Sequence, residues 1–188
     1  WWYDYKKPVN NTKLITHQLL ADYCHCTIND LILKTTNLGK PYLSNYSINF
    51  NVSHTKGFYV IGLCKSVSIG IDCELKSRNC SSAHRIIKRL FSHQQYKQFK
   101  SIPKHQQSTA FLIGWTKYEA LTKYLAQSIF KNHIPLPNLW NNDITSTSKS
   151  TIYPICIHPK LISAIALPIN YRPILSISYL PQKIIDIL

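Results

Sequence analysis

Short β-rich runs stand on both sides of a block of helix-forming sequence, and this order is the strongest constraint on the fold. Apolar spacing predicts a leading helix over 12–26 and a longer one over about 106–125, while Ser81 or Ser82 and Ser92 can cap two shorter helices between them. Strands are predicted over residues 48–51, 58–64, 68–74, 151–157, 161–167 and 174–180, with a loop over 127–150. The sequence therefore predicts a mixed α+β fold.

The composition suits a chain that folds around its own apolar core. Its 188 residues, 45% apolar and 12% aromatic, fit one domain or two small ones. The six cysteines form no regular framework, which favours a reduced, cytoplasmic compartment over a secreted disulfide scaffold. No apolar run reaches the roughly 18 to 20 residues of a membrane span, and the chain starts without a signal-peptide pattern. We therefore expect no membrane partner.

The formal net charge of +14 indicates an anionic ligand or partner. Nucleic acid, a nucleotide polyphosphate and an acidic protein would all be attracted to such a surface. The abundance of lysine, asparagine and isoleucine is also what genome base composition alone can produce. Charge does not choose among these explanations.

Only two glutamates occur in the chain, Glu74 in Gly-Ile-Asp-Cys-Glu and Glu119 in Trp-Thr-Lys-Tyr-Glu-Ala. On a strand, Asp72 and Glu74 point to the same face, with Cα atoms about 7 Å apart. Their repulsion would be reversed by a bound cation, and Mg²⁺ prefers oxygen ligands of this kind. The alternative is an exposed edge strand whose carboxylates are simply hydrated.

Two further groups of polar residues could act in the same chemistry. Glu119 and Lys123 lie four residues apart, so they share one face of a helix, where they could equally be an ordinary ion pair. The segment 53–57, Ser-His-Thr-Lys-Gly, is predicted as a polar turn between strands that could grip a phosphate, although such turns are more often only turns.

Four motifs, taken in order, together resemble one known family. They are Gly-Lys-Pro at 39–41, Phe-Asn-Val-Ser-His at 50–54, Gly-Ile-Asp-Cys-Glu at 70–74, and Trp-Thr-Lys-Tyr-Glu-Ala at 115–120 with Lys123. This set resembles the phosphopantetheinyl transferases of the surfactin-synthetase-activating type. The chain departs from the family pattern at Tyr118, where lysine is usual, at Gln95, where glutamate is frequent, and at Ala21, where arginine is usual.

The resemblance implies a fold of two similar α/β halves related by a pseudo-twofold axis. The first half, residues 1–67, would contact coenzyme A and looks shortened. The second half, residues 68–188, would bind the metal and carry the catalytic groups. Coenzyme A and Mg²⁺ would lie in the cleft between the halves of a monomer.

The resemblance also implies an activity, which is transfer of the 4′-phosphopantetheine arm of coenzyme A to a serine of an apo carrier protein, with release of adenosine 3′,5′-bisphosphate. By its motifs, Asp72, Glu74 and Glu119 would bind the metal. The residues that would contact the coenzyme are Lys40, Pro41, Ser53, His54 and Lys123. The catalytic residues would be Glu119, Lys123 and His54. Two alternatives stay open: a homologue that binds carrier protein or coenzyme A without turnover, and a basic nucleic-acid-binding module.

Overall fold

The computed structural model describes residues 2–4, 12–128 and 135–177, which form a mixed α/β fold. Its helices are α1 (Thr12–Cys24), α2 (Ala83–Leu90), α3 (His93–Ser101) and α4 (Lys104–Tyr124). Its strands are β1 (Trp2–Asp4), β2 (Leu33–Thr35), β3 (Pro41–Leu43), β4 (Asn49–Thr55), β5 (Phe58–Cys64), β6 (Gly70–Leu75), β7 (Thr145–Ser146), β8 (Ser150–Ile155) and β9 (Leu161–Pro168). A 3₁₀ turn, Ile28–Asp30, follows α1. Within the described ranges, no helix is long and apolar enough to cross a membrane.

The N-terminal sheet has the antiparallel order β1-β5-β4 and is packed against α1. Ile15, Leu19 and Leu20 of the helix bury their side chains against Phe50, Tyr59 and Ile61 of the sheet. Apolar residues at this i, i+4 and i+5 spacing form one stripe, which is why the leading helix was predictable. The strands β2 and β3 form a separate two-stranded hairpin that contacts β4.

The predicted polar turn at 53–57 is wrong for its first three residues. Ser53 and His54 continue β4 and pair with Val60 and Tyr59 of β5. The hairpin turns only at residues 56 and 57, where Gly57 adopts a φ of +80° that favours glycine. Because the backbone groups of 53–55 are satisfied by β5, the turn needs no more than two residues.

The C-terminal sheet has the antiparallel order β6-β9-β8-β7, and the long helix α4 lies across it. The core between them is built from buried residues of both layers, including Phe111, Tyr118, Leu121, Ile152, Ala164 and Ala166. Helix α3 contacts both α2 and α4, and these helices add Ile87, Leu90 and Phe99 to the same core. Ser92 caps α3 as predicted, with its hydroxyl oxygen accepting a hydrogen bond from Gln95 N.

The last predicted strand, over 174–180, is wrong for the part that the structure describes. Residues 174–177 form no strand, the Ile174 side chain is fully exposed, and residues 178–180 lie outside the described ranges. Within the described ranges, β6 and β7 are the edge strands of the C-terminal sheet. The side chains of β4 approach β6, and β7 has only two residues with which a further strand could pair. An apolar run indicates burial, but it does not ensure that a neighbouring strand has unpaired backbone groups with which the run could form a ladder.

Two polar side chains of β4 join the two sheets. Asn51 Oδ1 accepts a hydrogen bond of 2.8 Å from Ile71 N, and Ser53 Oγ accepts one of 3.2 Å from Cys73 N. These side chains therefore take the place of a strand ladder between β4 and β6. The predicted boundary at 67/68 falls in the connection between β5 and β6, while the pseudo-twofold relation and the shortened first half stay predictions.

Candidate active site

An acidic cavity lies where β4, β6 and α4 meet. It has a volume of about 520 Å³. Its lining comes from α1 (Thr12, Lys13, Thr16), from the N-terminal sheet (Val52, Ser53, His54, Tyr59), and from β6 and α4 (Asp72, Cys73, Glu74, Glu119, Lys123). The structure therefore brings together six of the predicted site residues, which are Ser53, His54, Asp72, Glu74, Glu119 and Lys123.

Asp72 is the most buried acid of the cavity, with only 2% of its surface exposed. Its Oδ1 accepts hydrogen bonds from Ser53 Oγ at 2.8 Å and from Lys123 Nζ at 2.7 Å. Its Oδ2 is buried and has no hydrogen-bond partner within the part of the chain that the structure describes. A buried, unpartnered carboxylate oxygen is costly, so this atom requires either a proton shared with a neighbouring acid or a bound cation.

Glu119 lies beside Asp72, one turn of α4 before Lys123. Its Oε2 is 3.8 Å from Lys123 Nζ. Burial, together with the charge of Asp72, raises the pKa of Glu119 to about 8, although Lys123 acts in the opposite direction. Two ionised carboxylates cannot hydrogen-bond to each other, but a protonated Glu119 can donate to Asp72, which favours the protonated form further.

Glu74 lines the same cavity but is held by another partner. It forms an ion pair with Arg78, and burial raises its pKa while the guanidinium opposes that shift. As the side chains lie, no group of three His, Cys, Asp or Glu residues in the described ranges is arranged to hold a metal ion. The three predicted metal ligands thus share one cavity, with Asp72 and Glu119 adjacent and Glu74 turned to Arg78.

The chemistry of this donor set fits a hard divalent cation. Asp72, Glu74 and Glu119 offer only oxygen ligands, and Asp72 Oδ2 is available. Burial is the main reason that the pKa of both glutamates is raised, and the charge of Asp72 adds to it; a cation would favour their ionised forms. For all three carboxylates to bind one cation, Glu74 must break its ion pair with Arg78 or bind Arg78 and the cation together.

Ser53 and His54 are placed differently from each other. Ser53 is buried and its hydroxyl is used by Asp72 and by Cys73 N, so it orients the acid. His54 is exposed at the mouth of the cavity, where an incoming anion could meet it. Alternation along β4 explains this difference, because consecutive strand residues point to opposite faces.

Lys40 lies outside the acidic cavity. Its Nζ donates to Ser68 Oγ at 3.1 Å and to Ile69 O at 2.9 Å, and burial lowers its pKa. Lys40 therefore fastens the segment before β3 to the start of β6. Its predicted role in binding coenzyme A stays a prediction, as does that of Pro41, which lines a neighbouring cavity.

That neighbouring cavity, of about 590 Å³, carries basic residues that sequence reasoning missed. Lys13, His17 and Lys34 line it, and it shares Lys13, Thr16 and Val52 with the acidic cavity. Burial and the charge of Lys13 lower the pKa of His17. The spacing of Lys13 and His17, four apart on a predicted helix, was the available signal, because it places both on one face.

The departure from the family pattern at Tyr118 has a structural explanation. Tyr118 is buried and packs edge-on against Phe91, with ring centroids 4.8 Å apart. The ammonium of Lys117 is buried instead and donates to the carbonyl oxygens of Asn138, Asn141 and Asp143 at 2.7–2.9 Å. Lysine at 117 thus anchors the loop before β7, and tyrosine at 118 fills the core beside it.

The chain belongs to the 4′-phosphopantetheinyl transferase superfamily, whose sequence model matches residues 68–164. This stretch contains Asp72, Glu74, Glu119 and Lys123. The surfactin-synthetase-activating subtype stays a prediction.

Two relatives carry names from the same class. The chain is 27% identical to a putative 4′-phosphopantetheinyl transferase of Synechocystis sp. over 135 residues, which cover 66% of this chain and 54% of the relative. It is 31% identical to the 4′-phosphopantetheinyl transferase HetI of Nostoc sp. over 97 residues, which cover 50% of this chain and 40% of the relative. The chain spans about half the length of these relatives.

Proposed function

We propose that the protein transfers the 4′-phosphopantetheine arm of coenzyme A to a serine hydroxyl of an apo carrier protein, in a reaction that depends on Mg²⁺. The observation that carries this proposal is the meeting of Asp72, Glu119 and Lys123 in one cavity, with Asp72 Oδ2 buried and unpartnered in the described structure. Membership of the superfamily and the names of the two relatives support the same reaction class.

The residues of the cavity suit attack on a diphosphate. Asp72, Glu74 and Glu119 would hold Mg²⁺, which when bound supplies neutralising charge for the transferring phosphoryl group. Lys123 and His54, which line the same cavity, would contact the same anionic oxygens. Glu119, which a bound cation would keep ionised, would receive the proton of the attacking serine hydroxyl.

The basic neighbouring cavity could hold the part of coenzyme A that lies away from the reacting centre. Coenzyme A carries phosphate groups besides those at the reacting centre, and Lys13, His17 and Lys34 line the space next to the acids.

The carrier protein would bind to a second positive surface, which is formed by the segment between the two glutamates. Between Glu74 and Glu119 the chain has nine lysines and arginines and no acid, and most of those on α2 and α3 are exposed, which suits an acidic partner.

The direct test is a transfer assay. The chain is incubated with coenzyme A, Mg²⁺ and several apo carrier proteins, and mass spectrometry detects the phosphopantetheine adduct. We expect adduct with wild type, a loss of about 100-fold or more in rate for Glu119→Gln, and little change for Asp143→Asn, an exposed acid that does not line the cavity. Absence of adduct on every carrier would reject the proposal.

A second candidate is a homologue that binds coenzyme A or a carrier without turnover. The ion pair between Glu74 and Arg78 favours it, because it leaves the third predicted ligand engaged elsewhere. Calorimetric titration with coenzyme A separates the two candidates. Affinity that ignores added Mg²⁺, combined with no transfer, supports the second, whereas affinity that rises with Mg²⁺ supports the first.

A further inference from the structure

Arg78 stands behind the third acid of the cavity and is fixed by two neighbours. Its guanidinium pairs with Glu74, four residues earlier, and lies 5.8 Å from the ring centroid of Trp115 on α4. Trp115 is in turn stacked on Phe111, with centroids 5.9 Å apart. A planar guanidinium held over an indole has little freedom, so Arg78 presents its donors to Glu74 in one orientation.

Two cations are therefore paired with separate acids of the cavity. Lys123 binds Asp72 at 2.7 Å, and Arg78 binds Glu74. The Arg78 side chain is 34% exposed, while that of Glu74 is 14% exposed, so the pair is partly shielded from water. A charge-assisted hydrogen bond in such surroundings is stronger than one at the open surface.

We propose that Arg78 is a positioning residue that sets the affinity of the acidic cavity for a divalent cation, because it competes with that cation for Glu74. The inference rests on the proposed function, since it takes Glu74 to be a metal ligand. With Arg78 present, a cation gains Glu74 only when the ion pair opens or is shared. Removal of the guanidinium leaves the Glu74 carboxylate free before the cation binds.

The competing explanation is simple repulsion, in which any positive charge near the cavity weakens cation binding. Lys76 offers a matched control, because it lies two residues before Arg78, is exposed, and forms no ion pair with Glu74 in the described structure. Lys76→Gln removes the same charge without freeing the acid. Effects that act through Glu74 must also vanish when Glu74 is replaced by Gln.

The experiment measures the dissociation constant of Mn²⁺ by electron paramagnetic resonance of the free ion, with protein alone. The variants are Arg78→Gln, Lys76→Gln, Glu74→Gln and the double variant Glu74→Gln/Arg78→Gln, each checked for folding by thermal melting. We expect Arg78→Gln to bind Mn²⁺ about 3- to 30-fold more tightly than wild type, with a change under about 2-fold for Lys76→Gln. In the Glu74→Gln background, Arg78→Gln should have no more effect than Lys76→Gln.

An equal effect of Arg78→Gln and Lys76→Gln, or an effect that persists without Glu74, would overturn the inference while leaving the proposed function intact. If neither wild type nor Arg78→Gln binds Mn²⁺, the inference fails, and the transfer assay then decides separately on the function. Should Arg78→Gln fold poorly, Arg78→Lys serves instead. It keeps the charge but loses the planar fork, so it should also bind Mn²⁺ more tightly, and unchanged affinity would count against the inference.

Discussion

Glu119 combines the two properties that matter most at the scale of single residues, burial and proximity to another acid. Its pKa of about 8 in the folded protein lies above the ordinary value of 4.5. The folded state therefore binds more protons than the unfolded state between these two values. The stabilising contribution of protonated Glu119 is complete below pH 4.5 and is lost as the pH rises through 8.

This loss of stability with rising pH gives a prediction for the protein in the absence of divalent cations. Between about pH 5 and pH 8, the free energy of unfolding of wild type should fall by about 1–3 kcal/mol more than that of Glu119→Gln, since the variant has no carboxylate to ionise there. Urea unfolding in the presence of a chelator at several pH values measures the difference. Parallel pH profiles for the two proteins would show that Glu119 is not buried beside Asp72 as described.

Gly70 is the residue that lets α4 come close enough to β6 to share a site. A Cβ at this position would lie 2.1 Å from Ala120 O and 2.4 Å from Tyr124 N, both of them backbone atoms of the helix. Gly62 is different, because its Cβ would meet the Cδ1 end of the Ile69 side chain at 2.8 Å, and that end can turn away.

We therefore expect Gly70→Ala to lower the free energy of unfolding by about 2–4 kcal/mol, because the backbone of α4 must move away from the strand. Gly62→Ala should cost about 1 kcal/mol or less. Denaturant titration compares the two. Gly70→Ala should also weaken Mn²⁺ binding, since the displaced helix carries Glu119 away from Asp72. Equal stability losses for both glycines would contradict this explanation.

At the scale of elements, β4 does more than the sequence indicated. A turn was predicted at 53–57 because hydroxyls, an imidazole, an ammonium and a glycine follow one another there. In the structure Ser53 faces β6, where its hydroxyl donates to Asp72 and accepts from Cys73 N. A strand can carry a buried serine when a neighbouring element supplies both hydrogen-bond partners, and that element was not visible from the local sequence.

Ser53→Ala should accordingly lower the free energy of unfolding more than a Ser→Ala substitution at the surface does. It leaves the Cys73 N–H buried without its acceptor and removes a donor from Asp72, so we expect a loss of about 1–3 kcal/mol in unfolding free energy. Ser47→Ala, at an exposed position, should change stability by less than about 0.5 kcal/mol. Chemical denaturation of both variants checks the contrast, and a neutral Ser53→Ala would argue against the link between β4 and β6.

For the whole molecule, the sequence predicted most elements and the acids of the site, but not how they are joined. Periodicity located α1 and α4 to within two residues, and alternation placed Asp72 and Glu74 on one face of β6. Local patterns could not reveal that Arg78 holds Glu74, that Lys40 is bound by residues 68 and 69, or that 174–177 finds no strand partner. Each depends on contacts between distant segments.

The central claim concerns one divalent cation shared by acids from β6 and α4, and a Mn²⁺ titration followed by electron paramagnetic resonance tests it most directly. We predict a single site in wild type, a loss of affinity of about 10-fold or more in both Asp72→Asn and Glu119→Gln, and unchanged binding in Asp143→Asn. Wild-type affinity in Asp72→Asn and Glu119→Gln, or no saturable binding in any of these proteins, would contradict the account.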